Sequence, residues 1–269
     1  MSVLRINTDN PADMALLKEH PMFGVPEVYP RRSRYGEADA LALGLEPVEA
    51  VPDVLVPKDS FKEVIEACEK AKSFPLAHMH ASWAPPGTKY NQNGLGYCWT
   101  WSATACMMTL RAAELKPFVS LAPVSMGYLV RWANQGNYLE SVLNGLRDKG
   151  VCPGDFNDHR NSASAWSSLD GERAKYRLQA VWDTNPRAGD AVMTQHCLSI
   201  LAYGRPIILA YQWWSHALSL VGMRWDESAL NGIVWVIRNS HNESDVIELT
   251  GSRGVPDEAF GLVSTAVAE

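Results

Sequence analysis

Positive charge is in short supply in this chain: 24 lysines and arginines stand against 30 aspartates and glutamates, for a formal net charge of −6. Such a balance repels a phosphate backbone, and no basic stripe with interleaved aromatics opposes it, so nucleic acid is not an expected partner. Arg31-Arg32, with Arg34 nearby, reads as a solvated turn. Nowhere do 18 apolar residues run together, which excludes a membrane-spanning helix from the expectation. The start, Met1 to Asn7, lacks an apolar core of signal-peptide length, so a cytoplasmic protein is expected. The five cysteines, Cys68, Cys98, Cys106, Cys152 and Cys197, are odd in number and unrelated in spacing. No C-x-x-C pattern occurs, so they suit a reducing compartment, with Cys68, Cys106, Cys152 and Cys197 expected in the core. His78-x-His80 offers two metal ligands where a site needs more, so no metal or other cofactor is expected. No 20–50-residue period repeats.

What is present is an ordinary globular composition, 46% hydrophobic and 20% charged over 269 residues. That length suffices for one large domain or two lobes sharing a core, without staples. Residues 1 to about 58 are broken by prolines (Pro11, Pro26, Pro30, Pro47, Pro52, Pro57) and read as an extended arm with short helical turns. Asp59-Ser60 then offers an N-cap for a helix over Phe61–Lys72, with Phe61, Val64, Ile65 and Cys68 on one stripe. Further helices are expected at Cys98–Leu115, Tyr138–Gly150 (closed by Lys149-Gly150) and Ala191–Tyr203. Strands are expected at Ile207–Gln212, Ala217–Met223, Gly232–Arg238 and Asp245–Thr250. Helices first and strands later define an α+β protein with segregated lobes.

The chemistry concentrates in Asn91-Gln92-Asn93-Gly94-Leu95-Gly96-Tyr97-Cys98-Trp99. A glycine-bearing loop delivers Cys98 to the first position of an apolar helix, where unpaired backbone N–H groups and the dipole favour a thiolate. Gly96 permits close approach of a substrate carbonyl, and the Gln92 amide can join the Cys98 N–H as an oxyanion donor. His216 opens one apolar strand segment and Asn239 ends the next, placing an imidazole and a neutral amide as base and orienting group. Gln212-Trp213-Trp214-Ser215, just before His216, reads equally as packing or as a substrate wall.

These residues resemble the papain family of cysteine peptidases. Asn91, Gln92, Gly96, Cys98, Trp99 and Ser102 match its nucleophile pattern, Asn-Gln-Gly-x-Cys-Gly-x-Cys-Trp-x-x-Ser. His216, Ala217, Val221 and Gly222 resemble the strand of its base, and Trp235, Arg238, Asn239 and Ser240 that of its asparagine. His216 lies 118 and Asn239 141 residues after Cys98, near the roughly 130–150 of the family. Pro123-Val124-Ser125 through Gly150-Val151-Cys152-Pro153 also resembles the stretch after the family's central helix, and the likeness covers about residues 75–249. Two departures stand out: Leu95 replaces a disulfide cysteine, and His241 replaces the tryptophan that shields the base–asparagine contact.

The resemblance implies a two-lobed α+β fold, a helical lobe (about 85–168) against an antiparallel, barrel-like β lobe (about 169–269). Residues 1–72 are expected to be a prosegment along the cleft, or an arm that docks on a partner protein, ahead of a peptidase domain at 73–269. It implies hydrolysis of peptide bonds in peptide or protein substrates through a thioester. Cys98 is the expected nucleophile, His216 the base, Asn239 its orienting group and Gln92 the oxyanion donor. Gly96, Trp99 and Trp214 are expected to meet substrate. Relatives of this divergent kind imply a bacterial or phage origin. The proline-rich arm and the altered loop after Asn239 give a second expectation, a papain fold kept as a structural or docking component, for instance of a phage particle. A third is a related Cys-His hydrolase acting on cell-wall peptides or glutamine side chains.

Overall fold

The computed structural model describes residues 3–19, 52–79, 91–92, 95–129, 137–160, 163–184, 189–240 and 246–266. Seven strands form one sheet in the order β1-β6-β5-β4-β3-β7-β2. They are β1 (Val3–Asn7), β2 (Leu178–Asp183), β3 (Ile207–Tyr211), β4 (His216–Trp225), β5 (Ile233–Arg238), β6 (Val246–Thr250) and β7 (Glu258–Thr265). Every neighbouring pair is antiparallel except β1 with β6. Among the described residues β1 and β2 are the sheet's edges, so the expected barrel-like lobe takes the form of a sheet with two ends.

Both faces of the sheet are covered, which is why β3 reads Ile-Ile-Leu-Ala-Tyr without a polar residue. Ile208 and Ala210 face the core around helix α3 (Cys98–Ala113), with Ala217, Phe260 and Leu262 from neighbouring strands. Ile207, Leu209 and Tyr211 face the opposite core, beneath α2 (Phe61–Ala71) and α6 (Asp190–Ala202). Helix α3 is buried on every side, with all positions from Cys98 to Leu110 out of solvent, as befits a helix between two lobes. Helices α4 (Val124–Leu129) and α5 (Leu139–Asp148) pack with α3 to complete the helical lobe. Gly150 closes α5 at φ +83, its N–H on the Gly145 carbonyl, and a Cβ there would meet the Arg173 carbonyl at 2.2 Å. At α2, Ser60 holds the cap position without a side-chain cap bond, and a 3-10 turn over Lys58–Ser60 leads in instead.

One irregularity sets the geometry of the site. Along β4 and β5, Leu220 pairs with Ile237 but Gly222 pairs with Val236, so Val221 is an extra residue on β4. Continuing the pairing of Ser219 with Arg238 by one step puts Asn239 opposite Leu218, two residues from His216 and on the same side of the sheet. Without the bulge Asn239 would oppose Ser219, and the period of two would turn it to the other face from His216.

Three strands escaped the sequence reading. β2 and β7 mix polar with apolar residues, and β7 contains Gly261. β1 lies inside the stretch read as an arm. Its pairing with β6 is reinforced by Arg5–Glu248 at 2.8 Å, Arg253 N–H on Thr8 Oγ1 at 3.0 Å, and Ser252 N–H on Asp9 Oδ2 at 2.9 Å. Asn10 Oδ1 accepts the Ala12 N–H at 2.9 Å and, with Pro11 at the first helical position, starts α1 (Pro11–Glu19). Ile6 and Leu17 reach the core from this segment. Further on, Val56 exchanges hydrogen bonds with Ser199 (2.9 Å) and Gln195 (2.8 Å) of α6. The described parts of residues 1–72 thus lie on the β lobe. Ile6→Ala is expected to destabilise the protein by about 2–5 kcal/mol, the usual cost of truncating a buried isoleucine. A urea midpoint unmoved by that substitution would show β1 to be dispensable to the fold.

Candidate active site

The turn before α3 is held by its own backbone. Leu95 N–H donates to the Gln92 carbonyl (3.0 Å), Tyr97 N–H to Leu95 (2.8 Å), and both Thr100 and Trp101 N–H to Tyr97 (2.9 and 3.0 Å). Cys98 therefore sits at the first helical position, where its N–H and that of Trp99 have no partner within the helix. The Trp99 indole N–H donates to the Gly96 carbonyl at 3.1 Å and is wholly buried, pinning this turn to the core. The backbone N–H groups of Ala217, Trp99 and Cys98 all bear on the Cys98 thiol in the direction that favours thiolate. Ala217 directly follows His216, so the start of β4 meets the start of α3 at the sulfur. Ser219 Oγ donates to the Ser102 carbonyl at 2.9 Å and fastens the same two elements one turn further on.

His216 Nε2 lies 2.8 Å from Asn239 Oδ1. Which of the two donates follows from a second contact, since the Ser240 N–H also points at this Asn239 atom, at 2.8 Å. A backbone N–H can only donate, so the amide oxygen is the atom presented and His216 Nε2 must carry the proton. Nδ1, itself buried, is then the basic nitrogen of the neutral ring. Ser240 also fixes Gln92. Its Oγ donates to Gln92 Oε1 (2.5 Å), its carbonyl accepts the Gln92 N–H (3.1 Å), and Gln92 Nε2 donates to the Leu95 carbonyl (2.9 Å). One serine thus ties the glutamine to the asparagine. It stood in the matched sequence pattern, but nothing in its local sequence marked it as a joint between segments 148 residues apart.

The Trp214 indole packs on His216, ring centroids 5.3 Å apart, and is only 2% exposed. Of the residues expected to meet substrate, Gly96 and Trp99 form the turn before and into α3, and Trp214 lies against the imidazole. Cys98 is 0% and His216 2% exposed, and that burial decides their resting charge. It pushes the Cys98 thiol up to about 12, against the pull of the three N–H groups. It pushes the His216 imidazolium down to about 4, against the Asn239 hydrogen bond that favours the charged ring. The sequence alone pointed to a thiolate at the helix start; burial works against that, favouring the uncharged thiol and the uncharged imidazole.

Among the described residues no group of three or more His, Cys, Asp or Glu is arranged to hold a metal, and no helix is long and apolar enough to cross a membrane. All five cysteines are free. His80 and His241 lie outside the described residues.

No protein-family model matches the chain, and no curated protein matches it. Solved structures do. The digestive procathepsin L 3 of Tenebrio molitor larval midgut superposes with a TM-score of 0.53 at 14% identity, over 66% of each chain, just under two thirds of that protein's length. A recombinant stem bromelain precursor gives 0.53 at 15% identity, over 83% of this chain and 76% of the other. Xylellain, a cysteine protease from Xylella fastidiosa, gives 0.50 at 16%, over 69% and 85%. At these identities the likeness shows the fold: the chain has the two-lobed α+β architecture of papain-like cysteine proteases.

The two displaced ionisations predict how stability depends on pH. Folded His216 stays neutral down to about 4 whereas the unfolded chain takes up that proton near 6.5, so stability falls as pH drops across this window. His196, also lowered by burial, acts in the same direction. On the alkaline side Cys98, Cys106 and Cys197 hold their protons up to about 12, while unfolded thiols lose theirs from 9.0, so stability falls again above that pH. Urea midpoints are expected to plateau near neutrality, with the His216 contribution lost at acid pH on the order of 3 kcal/mol. His216→Gln is expected to flatten the acid limb; an equally steep limb in that variant would show that another group causes it.

Proposed function

We propose that the protein is a cysteine peptidase in which Cys98 attacks the carbonyl of a peptide bond and His216 carries the proton. The observation that carries this reading is the His216–Asn239 bond, with Nε2 donating. It makes Nδ1 the basic nitrogen of the ring, and the backbone N–H of Ala217, the next residue along, bears on the Cys98 sulfur. The fold shared with cysteine proteases supports it.

In the reaction, Nδ1 takes the thiol proton as Cys98 Sγ bonds to the carbonyl carbon. The resulting imidazolium is held by Asn239 without an added negative charge, and it then protonates the leaving amine as the C–N bond breaks. The thioester is hydrolysed by a water that His216 deprotonates, which restores the thiol. The Cys98 N–H and the second N–H of the Gln92 amide are the proposed donors to the oxyanion, one Gln92 N–H being occupied by Leu95. Substrate entry that hydrates or repolarises the closed site would lift the burial penalty on the ion pair.

An epoxysuccinyl probe tests the reading by intact mass. One adduct at neutral pH, absent from Cys98→Ala and faster than on a free thiol, is the expected result. Gln92→Ala is expected to lower turnover of a cleaved peptide by about 10²–10³-fold. The alternative is that the fold serves as a structural or docking component. If the full chain is not labelled, that reading replaces the first.

A further inference from the structure

The Cys98 position is one of a series. Cys98, Ser102, Cys106 and Thr109 stand four, four and three residues apart on α3, so they share one face of the helix, and all four are buried. That face meets the sheet at Ser219 of β4 and Arg238 of β5, which are buried and are direct partners in the ladder. The Ser219 hydroxyl donates to the Ser102 carbonyl at 2.9 Å. Arg238 Nη1 donates to Thr109 Oγ1 at 3.4 Å, and that oxygen is free to accept because its own proton goes to the Ala105 carbonyl at 2.9 Å. Cys106 lies between these two contacts. Burial pushes its thiol up to about 12, opposed by the Ser219 hydroxyl and the Arg238 guanidinium, so both sheet groups act on it. A polar seam thus runs up the interface between helix and sheet.

The spacing along the seam suits both elements. Ala217 and Ser219 lie on one face of β4, about 6.6 Å apart at the usual strand rise. Cys98 and Ser102 lie about 6 Å apart along α3 at the helical rise. The Ala217 N–H bears on the Cys98 sulfur and the Ser219 hydroxyl on the Ser102 carbonyl, so helix and strand run in step here. Ser219 alone does not select this alignment, since every turn of a helix offers a carbonyl. Arg238 does. One turn either way along α3 from Thr109 stand Ala105 and Ala113, so a slide of the helix by a turn would set a methyl group before the guanidinium inside the core. We propose that Thr109 and Arg238 are a positioning pair that sets the register of α3 on β4 and β5, and with it the place of Cys98 against Ala217. Buried polar groups used in this way contribute alignment more than stability. The catalytic meaning of the pair rests on the peptidase reading; the register is a property of the folded protein.

The test uses the full chain, labelled with ¹³C and ¹⁵N, and the variants Thr109→Ser, Thr109→Val and Thr109→Val/Arg238→Met. The wild type is expected to show cross-relaxation between the Ala217 amide proton and the Cys98 β protons, with one set of signals. Serine keeps the hydroxyl and is expected to keep both. The double variant, apolar at both ends of the pair, is expected to melt near the wild-type temperature while this cross-peak falls at least twofold or splits. On the peptidase reading, its labelling at Cys98 by an epoxysuccinyl probe falls on the order of 10²-fold, the usual consequence of a small misplacement of a reacting group. An undiminished single cross-peak in both valine forms would show packing alone to set the register and overturns the proposal. If the double variant does not fold, Thr109→Val decides by the same cross-peak; if neither folds, the pair serves stability instead of register, which also overturns it. The cross-peak needs no activity. Its loss in the double variant of a protein whose wild-type Cys98 is never labelled would remove the peptidase reading and leave the register standing. Rapid wild-type labelling with cross-peaks unchanged throughout would do the reverse.

Discussion

The hydrogen bond from His216 Nε2 to Asn239 Oδ1 is the contact on which the rest of the site depends. It selects the tautomer, and the tautomer selects which nitrogen is basic. It also sets the condition under which a buried imidazole can become charged, since it opposes the desolvation that depresses its ionisation. The two side chains come from adjacent antiparallel strands, and their meeting is a matter of register. The extra residue at Val221 turns the end of β5 so that Asn239 and His216 share a face. A bulge is often treated as a local flaw in a ladder; here it bears on whether the side chains of His216 and Asn239 meet.

Around that bond the structure places two kinds of support. Ser240 works through polar contacts, holding the Asn239 amide oxygen in place and locking Gln92 by both its backbone and its side chain. Trp214 works through shape, packing against the imidazole. The two supports come from different segments at one end of the β4–β5 pair, the turn that enters β4 and the residue that follows β5. Because Gln92 and Asn239 share the serine, the proposed oxyanion donor and the orienting group are coupled.

Much of this was legible in the amino-acid sequence, for identifiable reasons. The α3 start announces itself because a glycine turn followed by an unbroken apolar run leaves few other conformations for Cys98. β3, β4 and β5 are legible because both sheet faces are covered and their sequences are apolar without interruption. β1 was not, since five residues at a sheet edge, largely exposed, carry too little hydrophobic signal, and their partner β6 lies more than 230 residues away. The bulge at Val221 was not legible either, because an apolar run looks the same with or without an extra residue. The resting charge state escaped for a different reason. Helix dipoles and N–H groups can be read locally, whereas desolvation depends on how completely the remote parts of the chain close over the sulfur.

That last point bears on how such a site can work. A thiol raised to about 12 and an imidazolium lowered to about 4 make the charged pair the unfavourable partner of the neutral one in the closed state. Both shifts have the same leading cause, burial, and both are opposed by fixed groups that remain in place when burial is relieved: three backbone N–H donors at the sulfur, and Asn239 at the ring. On the proposed reading, a polar substrate backbone in place of the apolar surroundings would act on both ionisations at once and in the direction of the ion pair. The fixed donors then determine where the charge settles. On the proposed reading the neutral pair gives way to the ion pair only when its surroundings change, and since Cys98 is fully buried, admitting a substrate requires neighbouring groups to move.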